Sequence, residues 1–221
     1  MRIAKGLGFF LFCLLLATTA RAQDRYVFNT GFYVQLTGLA IFPEDLRAFS
    51  RFDGLTGQVT ADYDTGWGVG IEGGYRFANG LRLQSEFFYG RTRFDDVRGR
   101  VHVRNLFGEA SVRGRAELGR NRFETFNGTE GLFYDFNTGS MFIPYLGAGI
   151  GGVHSDFYGT PDLKKTSDTS FTAFGEVGVE VKVAERLSLV PAYRFQWIDD
   201  GTRHIEDTRF HEATLGLRWY F

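Results

Sequence analysis

The feature that most limits the fold of this chain is a period-two alternation of apolar and polar residues that recurs along its length. In GWGVGIEGGYRF, which begins at Gly66, the apolar residues Trp67, Val69 and Ile71 alternate with small or charged ones. Successive side chains of a β-strand point to opposite faces of the sheet, so the alternation predicts a strand with two unlike faces. The chain also has 29 glycines and 24 phenylalanines but four prolines, which suits strands joined by turns.

Eight segments with this alternation predict eight strands: 31–42, 66–77, 81–90, 126–136, 141–153, 171–183, 187–197 and 209–221. Glu130 interrupts the apolar face of the fourth. The connections alternate in length, with short ones at 78–80, 137–140 and 184–186 and long ones at 43–65, 93–120, 155–169 and 199–208. The pattern predicts an all-β, eight-stranded antiparallel up-and-down transmembrane β-barrel with short periplasmic turns and long extracellular loops.

A soluble eight-stranded barrel of the lipocalin type is the competing structure, with its apolar faces pointing inward. Aromatic residues at both ends of the apolar faces favour the membrane, because a bilayer has two interfaces. They are Trp67, Tyr89, Phe171 and Trp197 at the loop end, and Phe77, Tyr134, Phe142, Trp219 and Phe221 at the turn end.

The polar faces of the predicted strands carry five acidic and five basic residues. In a narrow barrel we expect them to form ion pairs, because unpaired buried charges are strongly destabilising. The predicted set is Glu72, Glu86, Glu176, Glu180 and Glu212 with Arg76, Arg82, Lys182, Arg194 and Arg218.

The first 22 residues have the three parts of a secretory signal peptide: Arg2 and Lys5, an apolar run over 7–17, and Ala20-Arg21-Ala22. We expect cleavage after residue 22, leaving a barrel domain at 23–221. The only cysteine, Cys13, lies in the signal, so we expect no disulfide in the exported protein. Cleavage leaves 22 basic and 26 acidic residues, and this acidic balance argues against nucleic acid as a partner.

Three stretches, the PYLGAGIGG that begins at Pro144, the FYDF that ends at Phe136 and the terminal LRWYF, resemble the small outer-membrane barrels of the opacity-protein and OmpA-like surface-antigen group. The resemblance implies a porin-like surface protein of the bacterial outer membrane, in contact with outer-membrane lipid and lipopolysaccharide. No peptidoglycan-binding domain like that of full-length OmpA is expected after the barrel.

In that group, a terminal aromatic preceded by alternate apolar residues is the signal read by the barrel-assembly machinery. The resemblance places this signal on the last strand, whose lipid face has the same residues: Leu215, Leu217, Trp219 and Phe221.

The second long connection is rich in arginine and contains VRGR twice, at 97–100 and 112–115. Alternation around these repeats predicts that strands three and four extend beyond the membrane as a hairpin. From 91 to 122 the chain has nine arginines and four acidic residues. Arginine suits phosphate geometry, so we predict contacts with lipopolysaccharide phosphates or another anionic host or surface ligand. The alternative is a solvated hairpin. The candidate residues are Arg98, Arg100, Arg104, Arg113 and Arg115.

No catalytic, cofactor-binding or metal-binding residues are assigned. His154 and Ser155 are neighbours that would face opposite sides of the barrel wall, so His154-Ser155-Asp156 is interpreted as the start of a loop. The polar residues around the last loop lack the close spacing of a defined zinc site, and His102 has no obvious carboxylate partner. The last-loop residues are His204, Glu206, Asp207, His211 and Glu212.

We therefore expect a non-enzymatic surface protein that supports envelope integrity or contacts surface ligands. A narrow channel for small solutes is the first alternative. Bulky inward residues, among them Phe88, Phe133 and Phe174, argue against a wide pore, because the interior of an eight-stranded barrel is just filled by side chains. A lipid A-modifying enzyme is the second alternative.

Overall fold

The computed structural model describes residues 28–44, 46–52, 55–105, 108–158, 166–199 and 208–221, with side chains over 28–44, 64–92, 122–156, 167–199 and 208–221. The predicted signal peptide, 1–22, lies outside the described residues.

The described chain forms ten β-strands. They are β1 (Gly31–Pro43), β2 (Leu46–Phe52), β3 (Leu55–Tyr63), β4 (Gly66–Arg76), β5 (Leu81–Asn105), β6 (Gly108–Asp135), β7 (Phe142–Tyr158), β8 (Thr166–Lys182), β9 (Leu187–Asp199) and β10 (Thr208–Tyr220).

Eight of these strands, β1 and β4 to β10, close into an antiparallel barrel. Closure joins the two ends of the chain, because β1 pairs with β10 from Tyr33 opposite Tyr220 to Pro43 opposite Phe210. On its other edge β1 pairs with β4, and β5 pairs with β6 to complete the ring. The predicted fold class is confirmed. A closed sheet has no unpaired edge, which a bilayer requires because hydrocarbon offers no hydrogen-bond partner.

The first long connection differs from the prediction, because 43–65 contains a β-hairpin as well as loop residues. Strands β2 and β3 pair with each other. On its other edge β3 pairs with the extension of β5, with Leu55 opposite Val103 and Ala61 opposite Val97. Neither LRAFSRF nor LTGQVTADY has the sustained apolar face that identified the other strands. The backbone pairing of β3 with β5, rather than a side-chain pattern, therefore determines where this hairpin lies.

The predicted extension of the third and fourth barrel strands is confirmed. Strands β5 and β6 have 25 and 28 residues, and they pair from Leu81 opposite Tyr134 to Asn105 opposite Gly108. One register shift lies between Phe94 and Asp96. A membrane-spanning strand needs about 9 to 11 residues. Both strands therefore continue well beyond the barrel on the extracellular side.

The two faces of the barrel wall have opposite chemistry. On the outer face Phe32, Leu36 and Phe87 are 68%, 62% and 64% exposed, whereas the inward Gln35 and Glu86 are 4% and 0% exposed. Apolar side chains outside and polar side chains inside are the arrangement of a membrane barrel. Among the described residues, no helix is long and apolar enough to cross a membrane.

Candidate functional site

The periplasmic half of the barrel interior is a buried charge network centred on Glu180. This carboxylate accepts hydrogen bonds from Arg76, from Arg218 Nη1 at 2.9 Å and from Tyr220 OH at 2.9 Å on one oxygen. Ser188 Oγ donates to its other oxygen at 2.8 Å. The carboxylate and the two guanidinium groups are at most 1% exposed, so these opposite charges contact one another out of reach of water.

Asp135 is the second carboxylate of this half and lies between two arginines. Arg76 Nε donates to its Oδ2 at 2.6 Å, and Arg82 Nε donates to the same oxygen at 2.9 Å. Asp135 was not among the predicted interior residues, although it has the same parity as the inward Phe133 in FYDF. This shared parity could have identified Asp135 as an interior residue from the sequence.

Nearer the middle of the barrel, Arg194 joins two glutamates from different strands. Its guanidinium reaches Glu86 Oε2 at 2.8 Å through Nη1 and Glu176 Oε2 at 2.7 Å through Nε. Tyr145 OH donates to the other oxygen of Glu176 at 2.7 Å. Glu72 accepts instead from Gln35 and Gln84 at 2.9 and 2.8 Å. These neutral donors extend the network from β1 to β9.

The arginines also lie against aromatic rings. The guanidinium carbon of Arg82 is 4.1 Å from the centre of the Phe133 ring, and that of Arg194 is 4.1 Å from Phe174. Such contacts are most favourable where the cation is desolvated. Two glycines of β7 leave room for these rings, because a Cβ on Gly147 would lie 2.1 Å from Phe133 and one on Gly149 2.4 Å from Phe174.

The ten predicted interior residues are all buried, but they differ in their partners. Six of them form ion pairs within the set: Arg76 and Arg218 with Glu180, and Arg194 with Glu86 and Glu176. Arg82 pairs with Asp135, and Lys182 Nζ donates to Asn29 Oδ1 at 2.7 Å. Glu72 has amide and hydroxyl partners. Glu212 has neither an ion-pair nor a hydrogen-bond partner among the described side chains.

The extracellular half of the interior is apolar by comparison. Its buried cluster is Leu39, Ile41, Phe88, Val153, Ile198 and Phe210. Glu212 and Asn127 line a cavity of about 10 Å³ beside this cluster. That is about the space one water molecule needs, so side chains nearly fill the described barrel interior at this level.

The aromatic residues predicted for the two borders lie on the outer face. Trp67 and Tyr89 have ring centres 6.1 Å apart at the extracellular border, and Tyr134 contacts Phe136 at 5.0 Å at the periplasmic border. The alternate residues of β10 are also outward, and the Phe221 side chain that follows them is 71% exposed. Glu130 is also exposed on the outer face, between the levels of the two aromatic borders. Its carboxylate accepts a hydrogen bond from Ser85 Oγ at 2.8 Å.

The extracellular hairpin brings predicted arginine positions together in the backbone register. Arg98 is the cross-strand partner of Arg115, Arg100 that of Arg113, and Arg104 that of Glu109. The side chains of these residues lie outside the described part of the structure, as does that of His102. His204, Glu206 and Asp207 also lie outside it.

The described histidines lie on the outer face near the extracellular border. His154 Nδ1 is 2.9 Å from Thr169 Oγ1, and its Nε2 is 3.7 Å from Asp156 Oδ1. Asp156 accepts a shorter bond from Ser167 Oγ at 2.6 Å. A hydroxyl nucleophile needs a base that a carboxylate orients by a hydrogen bond, and 3.7 Å is too long for one. The sequence did not identify Thr169, because this neighbour comes from the adjacent strand.

The other described histidine, His211, uses both ring nitrogens. Nδ1 is 2.5 Å from Tyr193 OH, and Nε2 is 3.0 Å from Glu44 Oε1. In the part of the chain that the structure describes, no group of three or more histidine, cysteine, aspartate or glutamate side chains could hold a metal ion.

Comparison with known proteins gives the family. A model of the outer membrane protein beta-barrel domain matches residues 10–221. The chain belongs to this family. The outer membrane barrel is also similar in fold to neisserial surface protein A, with a TM-score of 0.55, 19% identity, and coverage of 86% of this chain and 97% of that one. Recognition as a small barrel of the opacity and OmpA-like group is confirmed, as is location in the bacterial outer membrane.

Two further solved structures have lower TM-scores. Ail of Yersinia pestis, in complex with the heparin analogue sucrose octasulfate, has a TM-score of 0.48 and 12% identity, covering 86% of this chain and 100% of that one. OprG of Pseudomonas aeruginosa has a TM-score of 0.47 and 16% identity, covering 90% and 100%. These likenesses concern the fold alone. A search of curated proteins found no significant match.

Proposed function

We propose that this outer membrane barrel is a non-enzymatic surface protein that contacts lipopolysaccharide phosphates through the arginine-rich extension of β5 and β6. The observation that carries the proposal is the backbone register, which sets arginine opposite arginine at two positions: 98 with 115, and 100 with 113. Like charges directly opposite each other destabilise a strand pair. An anion bound at these positions would compensate that repulsion, and guanidinium groups suit phosphate.

The test is lipopolysaccharide co-purification from outer membranes. Replacing Arg98, Arg100, Arg104, Arg113 and Arg115 by glutamate should reduce the bound lipid at least tenfold, because both charge and geometry are lost. A matched variant with five lysines keeps the charge but lacks the planar fork, so intermediate retention is expected. Retention by the five-glutamate variant equal to that of the parent chain would contradict the proposal.

The non-enzymatic part of the proposal is supported by the geometry at His154, where the carboxylate of Asp156 is too distant to orient the ring. Incubation of the purified barrel with lipid A should release no fatty acid above the level seen with a His154→Ala variant. Release that depends on His154 would support the lipid-modifying alternative instead.

The small size of the cavity beside Glu212, about 10 Å³, favours a surface role over the narrow-channel alternative. Reconstituted in planar bilayers, the barrel should give no discrete conductance steps. Reproducible steps that disappear in a variant with altered interior residues would support a channel.

We also propose that the barrel-assembly machinery reads the alternate residues of the last strand. In support, Leu215, Leu217, Trp219 and Phe221 all point outward, and Phe221 adds a single backbone bond, from its N–H to Phe32 O at 3.1 Å. Phe221→Ser should slow membrane insertion in cells severalfold and leave the unfolding free energy nearly unchanged. Phe136→Ser, which removes another exposed aromatic at the same border, is the control. Equal insertion rates for the two variants would count against recognition.

A further inference from the structure

The charges inside the barrel do not balance. On the inward faces of the barrel strands, the described residues include six buried carboxyl groups and five buried cationic groups. The acids are Glu72, Glu86, Asp135, Glu176, Glu180 and Glu212, and the bases are Arg76, Arg82, Lys182, Arg194 and Arg218. With all of them ionised, the described part of the interior carries one excess negative charge. An uncompensated buried carboxylate is costly, so something must accompany it.

The excess charge is best assigned to Glu212. Its side chain belongs to a residue that is 5% exposed. Arg194 is its cross-strand partner on β9, but all three nitrogens of that guanidinium are directed to Glu86 and Glu176. Within the described chain, no side chain forms an ion pair or a hydrogen bond with the Glu212 carboxylate.

The surroundings of Glu212 are a small pocket rich in oxygen atoms. The cavity of about 10 Å³ is also lined by Asn127, whose buried Oδ1 has no hydrogen-bond partner among the described residues. Thr92, Thr125 and Gln196 line the same space. Apolar side chains of the buried extracellular cluster, among them Leu39 and Phe88, form the rest of the wall. The Glu212 carboxylate and the buried Asn127 Oδ1, neither of which has a donor among the described side chains, therefore border a space of the size of one water molecule.

We propose that this interior pocket beside Glu212 binds a single monovalent hard cation of the size of Na⁺. One positive charge balances the interior, whereas a divalent ion would leave an excess of the opposite sign. Carboxylate, amide and hydroxyl oxygens are the ligands that hard cations prefer. The small volume and the apolar wall restrict the occupant to an ion with little or no hydration shell. The site lies in the extracellular half, on the side that faces the medium.

Unfolding of the full chain in lipid vesicles tests the proposal, with NaCl compared against choline chloride at equal ionic strength. Choline is too large for the cavity. For the parent chain, the ratio of unfolded to folded protein at fixed urea should fall about tenfold for each tenfold increase of Na⁺ above its dissociation constant. Glu212→Gln should remove this dependence, because the neutral amide leaves no charge to balance. Glu130→Gln, on the outer face, is the control and should keep it.

A second measurement does not depend on variant stability. The ²³Na resonance should broaden on addition of the folded parent barrel, and an Asn127→Leu variant should reduce the broadening. If urea unfolding of the parent chain is the same in NaCl and choline chloride and the ²³Na line stays narrow, a proton on Glu212 balances the interior and the proposal is wrong. A sodium effect of equal size in Glu212→Gln would also overturn it.

Discussion

The two halves of the barrel interior solve the same problem with opposite chemistry. The periplasmic half is filled by arginines, carboxylates and tyrosines, with Glu180 receiving four hydrogen bonds. The extracellular half is filled mainly by aliphatic and aromatic side chains around Ile41 and Phe210. Beside them lies Glu212, which has no partner among the described side chains. In the first half each group depends on several partners, whereas in the second each contact is small and replaceable. Substitutions in the two halves should therefore differ in cost.

The largest effect is expected from the periplasmic half. Glu180→Ala removes the carboxylate that compensates Arg76 and Arg218 and should lower the unfolding free energy by about 3–5 kcal/mol, because two buried cations lose a partner. Urea unfolding in vesicles, followed by tryptophan fluorescence, measures the change. Glu130→Ala on the lipid face is the control, with little loss. A loss below about 1 kcal/mol for Glu180→Ala would break the contrast between the halves.

A smaller effect is expected where the two halves meet, at Gly151 opposite Thr129. A Cβ at this glycine would lie 2.1 Å from Gly128 O and 2.7 Å from Thr129 Cα, both backbone atoms with little room to move. Gly151→Ala should cost about 1–3 kcal/mol of unfolding free energy through overpacking. Gly175→Ala is the matched control, because nothing lies within 4 Å of its Cβ. Similar unfolding midpoints for the two variants would show that the wall adjusts at this level.

The smallest effect is expected in the extracellular half. Ile198→Val removes one methylene group from the buried extracellular cluster. It should lower the unfolding free energy by about 0.5–1.5 kcal/mol, since no polar group loses a partner. Ile71→Val, on the lipid face, is the control and should change the urea midpoint less. If Ile198→Val were as costly as Glu180→Ala, the extracellular half would be as tightly constrained as the charge network.

The alternation predicted the barrel strands and their inner and outer faces because one physical rule governs each of them. A residue such as Leu36 or Glu86 faces lipid or the interior according to its parity, and parity can be read from the chain alone. The β2 and β3 hairpin was missed because it has no sustained apolar face. Its position instead reflects backbone pairing with β5, which leaves no periodic trace in the sequence.

The sequence could predict which charged residues lie in the interior, but not which of them contact one another. Arg76 meets Asp135 across 59 residues of sequence and Glu180 across 104. Such contacts depend on barrel closure and on the register of each strand pair. Thr169 beside His154 was missed for the same reason, because the partner comes from the neighbouring strand.

The sequence by itself determined the membrane-spanning barrel and the identity of ten buried charged residues, because period-two alternation fixes the face on which each side chain lies. Only the tertiary structure decided which charges meet. It added Asp135 to the interior and left Glu212 without a partner among the described side chains, because closing the ring sets distances between strands far apart in the chain.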